Sequence, residues 1–145
     1  MSTMSSKSIP AAAPPKRVLC IDDSEVVLDR IRATLEPHGY EVVTTSQTVG
    51  AARYLPGCGL VIVDFHMPGF DGAQVVASLR SGLSKNEGRP VPLFYLYTST
   101  AATSEYVRLG FDGVFTRKGD ELALAPQVDA AFRRLRMREL ANRKK

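Results

Sequence analysis

Five short apolar runs, separated by stretches with helical periodicity, constrain the fold of this chain more than any other feature of its sequence. The runs occupy residues 18–21, 41–44, 60–63, 91–97 and 114–116. Such an alternation is typical of repeated βαβ units, whose strands pair in parallel within one sheet. The first, third and fourth runs are apolar at nearly every position, as expected for strands covered by helices on both faces. The sequence therefore predicts a doubly wound (βα)5 α/β fold around a five-stranded parallel sheet.

The stretches between and after these runs predict five helices. The first begins after Ser24, a favoured N-cap residue, carries apolar residues at i, i+4 and i+8 spacing, and ends at Pro37 and Gly39. The other four are predicted over residues 47–55, 73–81, 103–109 and 122–140. The last helix must accommodate Pro126 in its first turn. Its predicted apolar face consists of Leu124, Val128, Ala131, Leu135 and Met137.

Length and composition indicate one globular domain. The chain has 145 residues, 44% of them apolar and 23% charged, which is close to the average for folded domains. Residues 1–15 are rich in Ser, Ala and Pro and predict a disordered leader, residues 16–138 form the domain, and residues 139–145 form a basic tail. No apolar run approaches the ~18 residues of a membrane span, and no signal peptide is evident, so a cytoplasmic protein is expected. Cys20 and Cys58 lack metal-motif spacing and are interpreted as core or loop residues.

The net charge of +4 is distributed unevenly along the chain. Residues 133–145 contain seven basic residues against Glu139 alone, whereas residues 16–132 contain 11 basic and 14 acidic residues, a net charge of −3. Domains that bind nucleic acid spread basic residues over a face or stripe, so this composition argues against nucleic acid as a partner. Only the tail could bind it, and the alternative for the tail is a solvated helix end.

Three aspartates stand where predicted strands finish: Asp22 and Asp23 follow the first run, and Asp64 follows the third. In open parallel sheets, ligands bind beyond the carboxyl ends of the strands. Carboxylates gathered there repel one another unless a cation neutralises them, and their hard oxygen atoms suit Mg²⁺ or Mn²⁺. The alternative is that Asp22 or Asp23 merely caps the first helix.

The fourth and fifth runs bring a hydroxyl group and a cation to the same edge of the predicted sheet. Thr98 directly follows the fourth run, and Arg117 and Lys118 follow the fifth. A carboxylate, a metal pocket, a hydroxyl donor and an ammonium group together indicate phosphoryl transfer to an aspartate, through an acyl phosphate.

Four motifs at these positions occur together: V-L-C-I-D-D-S at residues 18–24, D-F-H-M-P-G-F-D-G at residues 64–72, the Thr-Ser pair after the fourth run and the lysine after the fifth. Over residues 16–137, the sequence thereby resembles the receiver domains of bacterial two-component response regulators, which have the CheY-like, flavodoxin-like fold. The resemblance implies that Asp64 accepts a phosphoryl group from the phosphohistidine of a histidine kinase or phosphotransfer protein. It also implies a protein that catalyses only its own phosphotransfer and autodephosphorylation.

The same resemblance implies the ligands of the metal ion and the residues around the phosphoryl group. Asp23, Asp64 and the backbone carbonyl of His66 would bind Mg²⁺ directly, and Asp22 would act through water. The Thr98 hydroxyl and the Lys118 ammonium would stabilise the phosphoryl oxygens.

The resemblance further implies a switch that changes partner binding. Phe115, on the fifth strand, would move inward as Thr98 is drawn towards the phosphoryl group. A downstream protein effector would then bind the face formed by the predicted helix 103–109, the fifth strand and the last helix. Because only a few charged residues follow the last helix, a stand-alone receiver is expected, one that acts through protein partners.

The sequence departs from the family pattern in ways that leave open which residue is the conserved cation and which is the switch residue. Lys118 is followed by Gly119 where the family has proline, and a count of seven residues from Gly110 ends on Arg117. Lys118 is favoured because the site prefers a compact cation; if Arg117 took its place, Val114 rather than Phe115 would be the switch residue. In addition, the stretch 98–110 is about one helical turn short, and residues 81–89 form a polar insertion.

These departures favour an alternative function, a receiver-like protein-interaction module that works without phosphorylation. An aspartate-nucleophile phosphatase is a weaker alternative, because such enzymes carry a second acid two residues after the nucleophile, where this chain has His66.

Overall fold

The computed structural model describes residues 16–64, 72–83, 91–98, 108 and 110–143. One parallel sheet of five strands, in the order β2-β1-β3-β4-β5, lies at the centre of the fold. The strands are β1 Arg17–Ile21, β2 Glu41–Thr45, β3 Leu60–Asp64, β4 Leu93–Tyr97 and β5 Gly113–Phe115. The described α-helices are α1 Glu25–Leu35, α2 Gly72–Leu83 and α3 Glu121–Arg143. The predicted five-stranded parallel α/β fold is confirmed.

The strand order reverses at β1, which pairs with β2 on one side and with β3 on the other. At such a reversal the loops that leave two adjacent strands diverge to opposite faces of the sheet, which opens a crevice beyond their carboxyl ends. Ile21, the last residue of β1, pairs with Val63, the residue before the end of β3. The residues that follow these two positions therefore share the crevice.

The sheet separates two apolar cores. Alternate side chains of β1 point to opposite faces, so that Val18 and Cys20 pack with α1 and α3, whereas Leu19 and Ile21 pack with α2 and the segment 51–58. All five residues of β3 and of β4 are buried. Burial on both faces explains why these runs are apolar at nearly every position.

Helix α1 follows its predicted boundaries because its ends carry specific signals. The Ser24 hydroxyl accepts a hydrogen bond from the backbone N–H of Val27, as an N-cap does. Leu28, Ile31 and Leu35 are buried on its inner face. Gly39 then adopts a left-handed conformation, with φ of 90°, which reverses the chain towards β2.

Two other helix predictions have different outcomes. Within the stretch 47–55, the structure contains only a 3₁₀ helix, Ala51–Tyr54, so the prediction of an α-helix there was wrong. Gly50 has φ of 81° immediately before this turn, and a left-handed residue at that point prevents a helix from starting earlier. The predicted helix 103–109, apart from residue 108, and most of the polar insertion 81–89 lie outside the described residues.

Helix α3 differs from its prediction in length and in its apolar face. It continues to Arg143 without a break at residue 138, and Pro126 lies inside it as its sixth residue rather than in the first turn. Met137 is 66% exposed and does not belong to the apolar face. It follows the buried Leu135 by two residues, which places it on nearly the opposite side of a helix. Among the described helices, none combines the length and the apolar character that crossing a bilayer demands.

The two cysteines lie in opposite cores, as free thiols. Burial raises the pKa of Cys58 to about 11 and raises the pKa of Cys20 further. At pH 8 the thiolate fraction of Cys58 is thereby reduced about 100-fold. We expect Ellman's reagent to leave both thiols unmodified in the native protein and to react with two thiols per chain in urea. Rapid modification of the native protein would contradict their burial.

Candidate functional site

Three aspartates meet at the carboxyl ends of β1 and β3. One carboxylate oxygen from each of Asp22, Asp23 and Asp64 lies within 4.8 Å of those from the other two. Asp22 and Asp64 are buried, whereas Asp23 is exposed and opens the cluster to solvent. The structure thus brings together the three acidic residues that the sequence singled out. Hard carboxylate oxygens at this spacing can hold a metal ion.

Lys118 lies against two of these carboxylates. Its Nζ atom is 3.0 Å from Oδ2 of Asp22 and 2.9 Å from Oδ1 of Asp64. Its side chain is 21% exposed. Burial by itself would lower the pKa of Lys118, but the hydrogen bonds and charges of Asp64 and Asp22 outweigh burial and raise the pKa. The side chain therefore remains a cation at neutral pH.

The charges of the cluster favour a divalent cation. Three carboxylates and one ammonium leave the site with two uncompensated negative charges. Burial raises the pKa of Asp22, opposed by hydrogen bonds from the Ser24 backbone N–H and from Lys118. A buried carboxylate whose charge is disfavoured in this way gains from a nearby cation. The donor set and its net charge fit Mg²⁺ or Mn²⁺.

Asp22 is not the N-cap of α1, as the alternative interpretation supposed. Oδ1 of Asp22 accepts a hydrogen bond from the backbone N–H of Ser24 at 2.9 Å, in the turn that precedes α1. Ser24 itself is the N-cap of that helix. The hydrogen bond to Ser24 orients the Asp22 carboxylate, whose other oxygen contacts Lys118.

The loop after β5 separates the two candidate cations. Arg117 has a left-handed backbone, with φ of 64°, and its 71% exposed side chain lies 3.6 Å from the carboxylate of Asp120. Gly119 is left-handed as well, with φ of 100°, and Asp120 donates its backbone N–H to the carbonyl of Arg117. In this tight turn Lys118 faces the aspartates and Arg117 faces solvent.

Thr98 is buried just beyond β4 and directly follows Tyr97, the residue of β4 that pairs with Asp64 in the sheet. The Thr98 backbone N–H donates to the Phe115 carbonyl at 3.1 Å, and the Thr98 carbonyl accepts the Lys118 N–H at 3.3 Å. Backbone contacts therefore link the predicted hydroxyl donor directly to the predicted cation.

Phe115 already occupies the interior of the domain. It is 1% exposed, and its ring stacks on that of Tyr95, with 4.4 Å between ring centroids and 25° between ring planes. In this conformation the ring is thus already inside the domain, and the role of Phe115 as a switch residue stays a prediction. Val114, the alternative switch residue, is half-buried and packs in the opposite core.

One feature of the site was missing from the sequence interpretation. A cavity of about 190 Å³ lies beside Lys118, between the start of α3 and α1. Its lining includes Val27, Arg30, Tyr97 and Glu121. The ring of Tyr97 lies 5.8 Å from the Lys118 Nζ. His66, whose carbonyl was a predicted metal ligand, lies outside the described residues.

Comparisons with known proteins agree with this geometry. The family model described as the response regulator receiver domain matches residues 18–129. The sensor histidine kinase GacS of Pseudomonas protegens is 32% identical over 116 residues, which cover 77% of this chain and 13% of that protein. Several curated transcriptional regulatory proteins match as well, among them KdpE of Mycobacterium tuberculosis, 30% identical over 121 residues, and the chain spans about half the length of each.

Solved structures show the same fold. The chemotaxis response regulator CheY4 of Vibrio cholerae has a TM-score of 0.65 and 21% identity, with 79% of this chain and 97% of that chain covered. The receiver domain of the histidine kinase CKI1 from Arabidopsis thaliana, complexed with Mg²⁺, has a TM-score of 0.62 and 18% identity, with 79% and 96% covered.

Proposed function

Because the chain belongs to the response regulator receiver domain family, we propose that it is a phosphorylation-controlled signalling switch whose phosphoryl acceptor is Asp64. One observation carries this proposal. The buried Asp64 carboxylate lies within one cluster with Asp22 and Asp23 and is 2.9 Å from the Lys118 ammonium. Its phosphoryl donor would be the phosphohistidine of a histidine kinase or phosphotransfer protein.

The reaction requires a nucleophile and groups that stabilise negative charge. An oxygen of Asp64 forms a bond to phosphorus while the bond from phosphorus to the histidine nitrogen breaks, and the product is an acyl phosphate. The Lys118 ammonium, which contacts both Asp22 and Asp64, would pair with the phosphoryl oxygens. Thr98 would donate its hydroxyl to the same oxygens.

Asp23 and Asp64 would hold Mg²⁺ directly, together with the His66 carbonyl, and Asp22 would act through water. When bound, Mg²⁺ offsets the negative charges of the carboxylates and of the phosphoryl group. The support is the donor set: three carboxylates that converge within 4.8 Å, one of them exposed so that an ion can enter.

The output of the switch would pass through β5 and α3. Backbone hydrogen bonds join Thr98 to Phe115 on one side and to Lys118 on the other. A shift of either residue towards a phosphoryl group therefore moves β5, and with it the face that an effector protein would bind. Gly119 in place of proline favoured an interaction module without phosphorylation. Lys118 nevertheless reaches both carboxylates, which supports the phosphorylation-dependent function.

Incubation with Mg²⁺ and acetyl phosphate tests this function. We expect intact-mass spectrometry to show the addition of one phosphoryl group per chain, and chelation of Mg²⁺ with EDTA to prevent it. If the mass stays unchanged at saturating Mg²⁺ and acetyl phosphate, the interaction module without phosphorylation becomes the better description.

The exposed aspartate gives a quantitative test of the metal site. We expect Asp23→Asn to raise the Mg²⁺ concentration needed for half-maximal phosphorylation by about tenfold or more, because a ligand carboxylate is lost. The matched control is Glu25→Gln, which removes the negative charge of an exposed side chain of α1 two residues away. Equal Mg²⁺ requirements for the two variants would argue against Asp23 as a ligand.

A further inference from the structure

In the described part of the chain, the strand that precedes Lys118 has backbone support from one side only, where the hydrogen bonds to β4 and its flanking residues run from the Asp112 N–H to the Lys118 N–H. Strand β5 has only three residues, Gly113–Phe115, and lies at the edge of the sheet. Among the described strands, it pairs with β4 alone. An edge strand has no second neighbouring strand, so side-chain contacts contribute to holding its position.

Arg134 on α3 bridges β4 and the start of β5. Its Nη1 atom donates a hydrogen bond to the hydroxyl of Tyr95 at 3.0 Å and another to the backbone carbonyl of Asp112 at 2.7 Å. Tyr95 belongs to β4, and Asp112 directly precedes β5. One guanidinium nitrogen therefore connects the two strands at the end remote from Lys118.

The Tyr95 ring occupies a place that the neighbouring residues leave open for it. A Cβ atom at position 113 would lie 2.5 Å from a ring carbon of Tyr95, so the ring fits only because residue 113 is glycine. On the other side, the ring stacks on Phe115. Tyr95 thus contacts both ends of β5 and places its hydroxyl beside Arg134.

These contacts continue to the phosphoacceptor site. The Phe115 carbonyl accepts the Thr98 N–H, the Thr98 carbonyl accepts the Lys118 N–H, and the Lys118 ammonium contacts Asp64. A displacement of β5 along β4 would therefore alter the distance between Lys118 and Asp64.

We propose that Tyr95 and Arg134 are positioning residues of the phosphoacceptor site, which hold β5 against β4 so that Lys118 and Thr98 remain within reach of Asp64. The proposal rests on the function proposed above for Asp64. Because coupling between two sites is reciprocal, phosphorylation of Asp64 would in turn affect the contact between Tyr95 and Arg134. A phosphoryl group that draws Thr98 and Lys118 inward acts on the Tyr95–Arg134 contact and so on the exposed surface of α3.

Titration of the full-length chain with beryllofluoride in the presence of Mg²⁺ tests this proposal. Binding of this phosphoryl mimic is followed by the backbone amide shift of Thr98. We expect Tyr95→Phe, which removes only the hydroxyl, and Arg134→Gln each to weaken binding about fivefold. Because Tyr95→Phe removes one of the two hydrogen bonds that Arg134→Gln removes, the double variant is expected to bind no more weakly than Arg134→Gln alone. Arg134→Lys should restore part of the affinity.

Two matched controls separate positioning from general stability. Tyr40 is likewise a buried tyrosine whose hydroxyl donates to a residue of α3, Asp129, at 2.5 Å. Arg133 is the neighbour of Arg134 and is likewise exposed. We expect Tyr40→Phe to lower the urea midpoint and Arg133→Gln to leave it unchanged, with wild-type beryllofluoride affinity in both.

Three outcomes would overturn the proposal. Wild-type affinity in Tyr95→Phe and Arg134→Gln would show that the contact does not position the site. An equal loss in Tyr40→Phe would show that affinity follows stability alone. If the wild-type protein itself fails to bind beryllofluoride with Mg²⁺, the proposed phosphorylation of Asp64 fails first, and this proposal falls with it.

Discussion

Asp64→Asn is expected to abolish phosphoryl acceptance from acetyl phosphate or from a phosphorylated histidine kinase. The substitution keeps the shape of the side chain but removes the anionic oxygen that would attack phosphorus. It also removes one of three carboxylates from the acidic cluster. Lys118 keeps its contact with Asp22, so the fold should persist, and circular dichroism checks this.

The measurement is intact-mass spectrometry after incubation with Mg²⁺ and acetyl phosphate. The matched control is Asp29→Asn, which changes an exposed aspartate of α1 outside the cluster and should leave phosphorylation at the wild-type level. If Asp64→Asn is still phosphorylated to the wild-type extent, the acceptor is another residue and the proposed mechanism is wrong.

Lys118→Met is expected to lower the free energy of unfolding by about 3 kcal/mol in the absence of Mg²⁺. The Lys118 ammonium contacts the buried carboxylates of both Asp22 and Asp64. Without it, two buried negative charges lose their neutralising partner while their mutual repulsion persists. Urea unfolding with EDTA present measures the loss.

Addition of Mg²⁺ should recover a larger part of the stability of Lys118→Met than it adds to the wild-type protein. A ligand that binds only the folded state stabilises it by mass action, and the variant offers the cation a more negative site. Lys16→Met is the matched control. Lys16 is exposed and lies over the Tyr40 ring, so we expect a loss of at most about 1 kcal/mol that Mg²⁺ does not recover. Equal Mg²⁺ effects in all three proteins would contradict a shared site for Mg²⁺ and Lys118.

The agreement between sequence and structure is best where a pattern has one physical solution. The runs that became β3 and β4 are apolar throughout because both faces of a central parallel strand are covered. Asp22 and Asp64 could be placed at one edge because the carboxyl ends of parallel strands coincide. Ser24 could be placed as an N-cap because its hydroxyl completes the first turn of α1.

The disagreements arise where a weak local preference competes with tertiary contacts or backbone conformation. The stretch 47–55 has helical periodicity, but the left-handed Gly50 divides it, and only a 3₁₀ turn follows. Met137 was assigned to the apolar face of α3, but it lies on nearly the opposite side of the helix from Leu135 and is exposed. Pro126 was expected in the first turn, but α3 begins at Glu121 and contains it.

By itself, the sequence determined the kind of fold, the order of its five strands along the chain, and the three aspartates of the acidic cluster. These follow from periodicity and from residue types at strand ends, which are local properties. Only the tertiary structure decided between Arg117 and Lys118, because the left-handed backbone at residues 117 and 119 sets which side chain faces the carboxylates. It alone revealed the contact of Tyr95 with Arg134, since residues 39 positions apart meet only when α3 packs on the sheet.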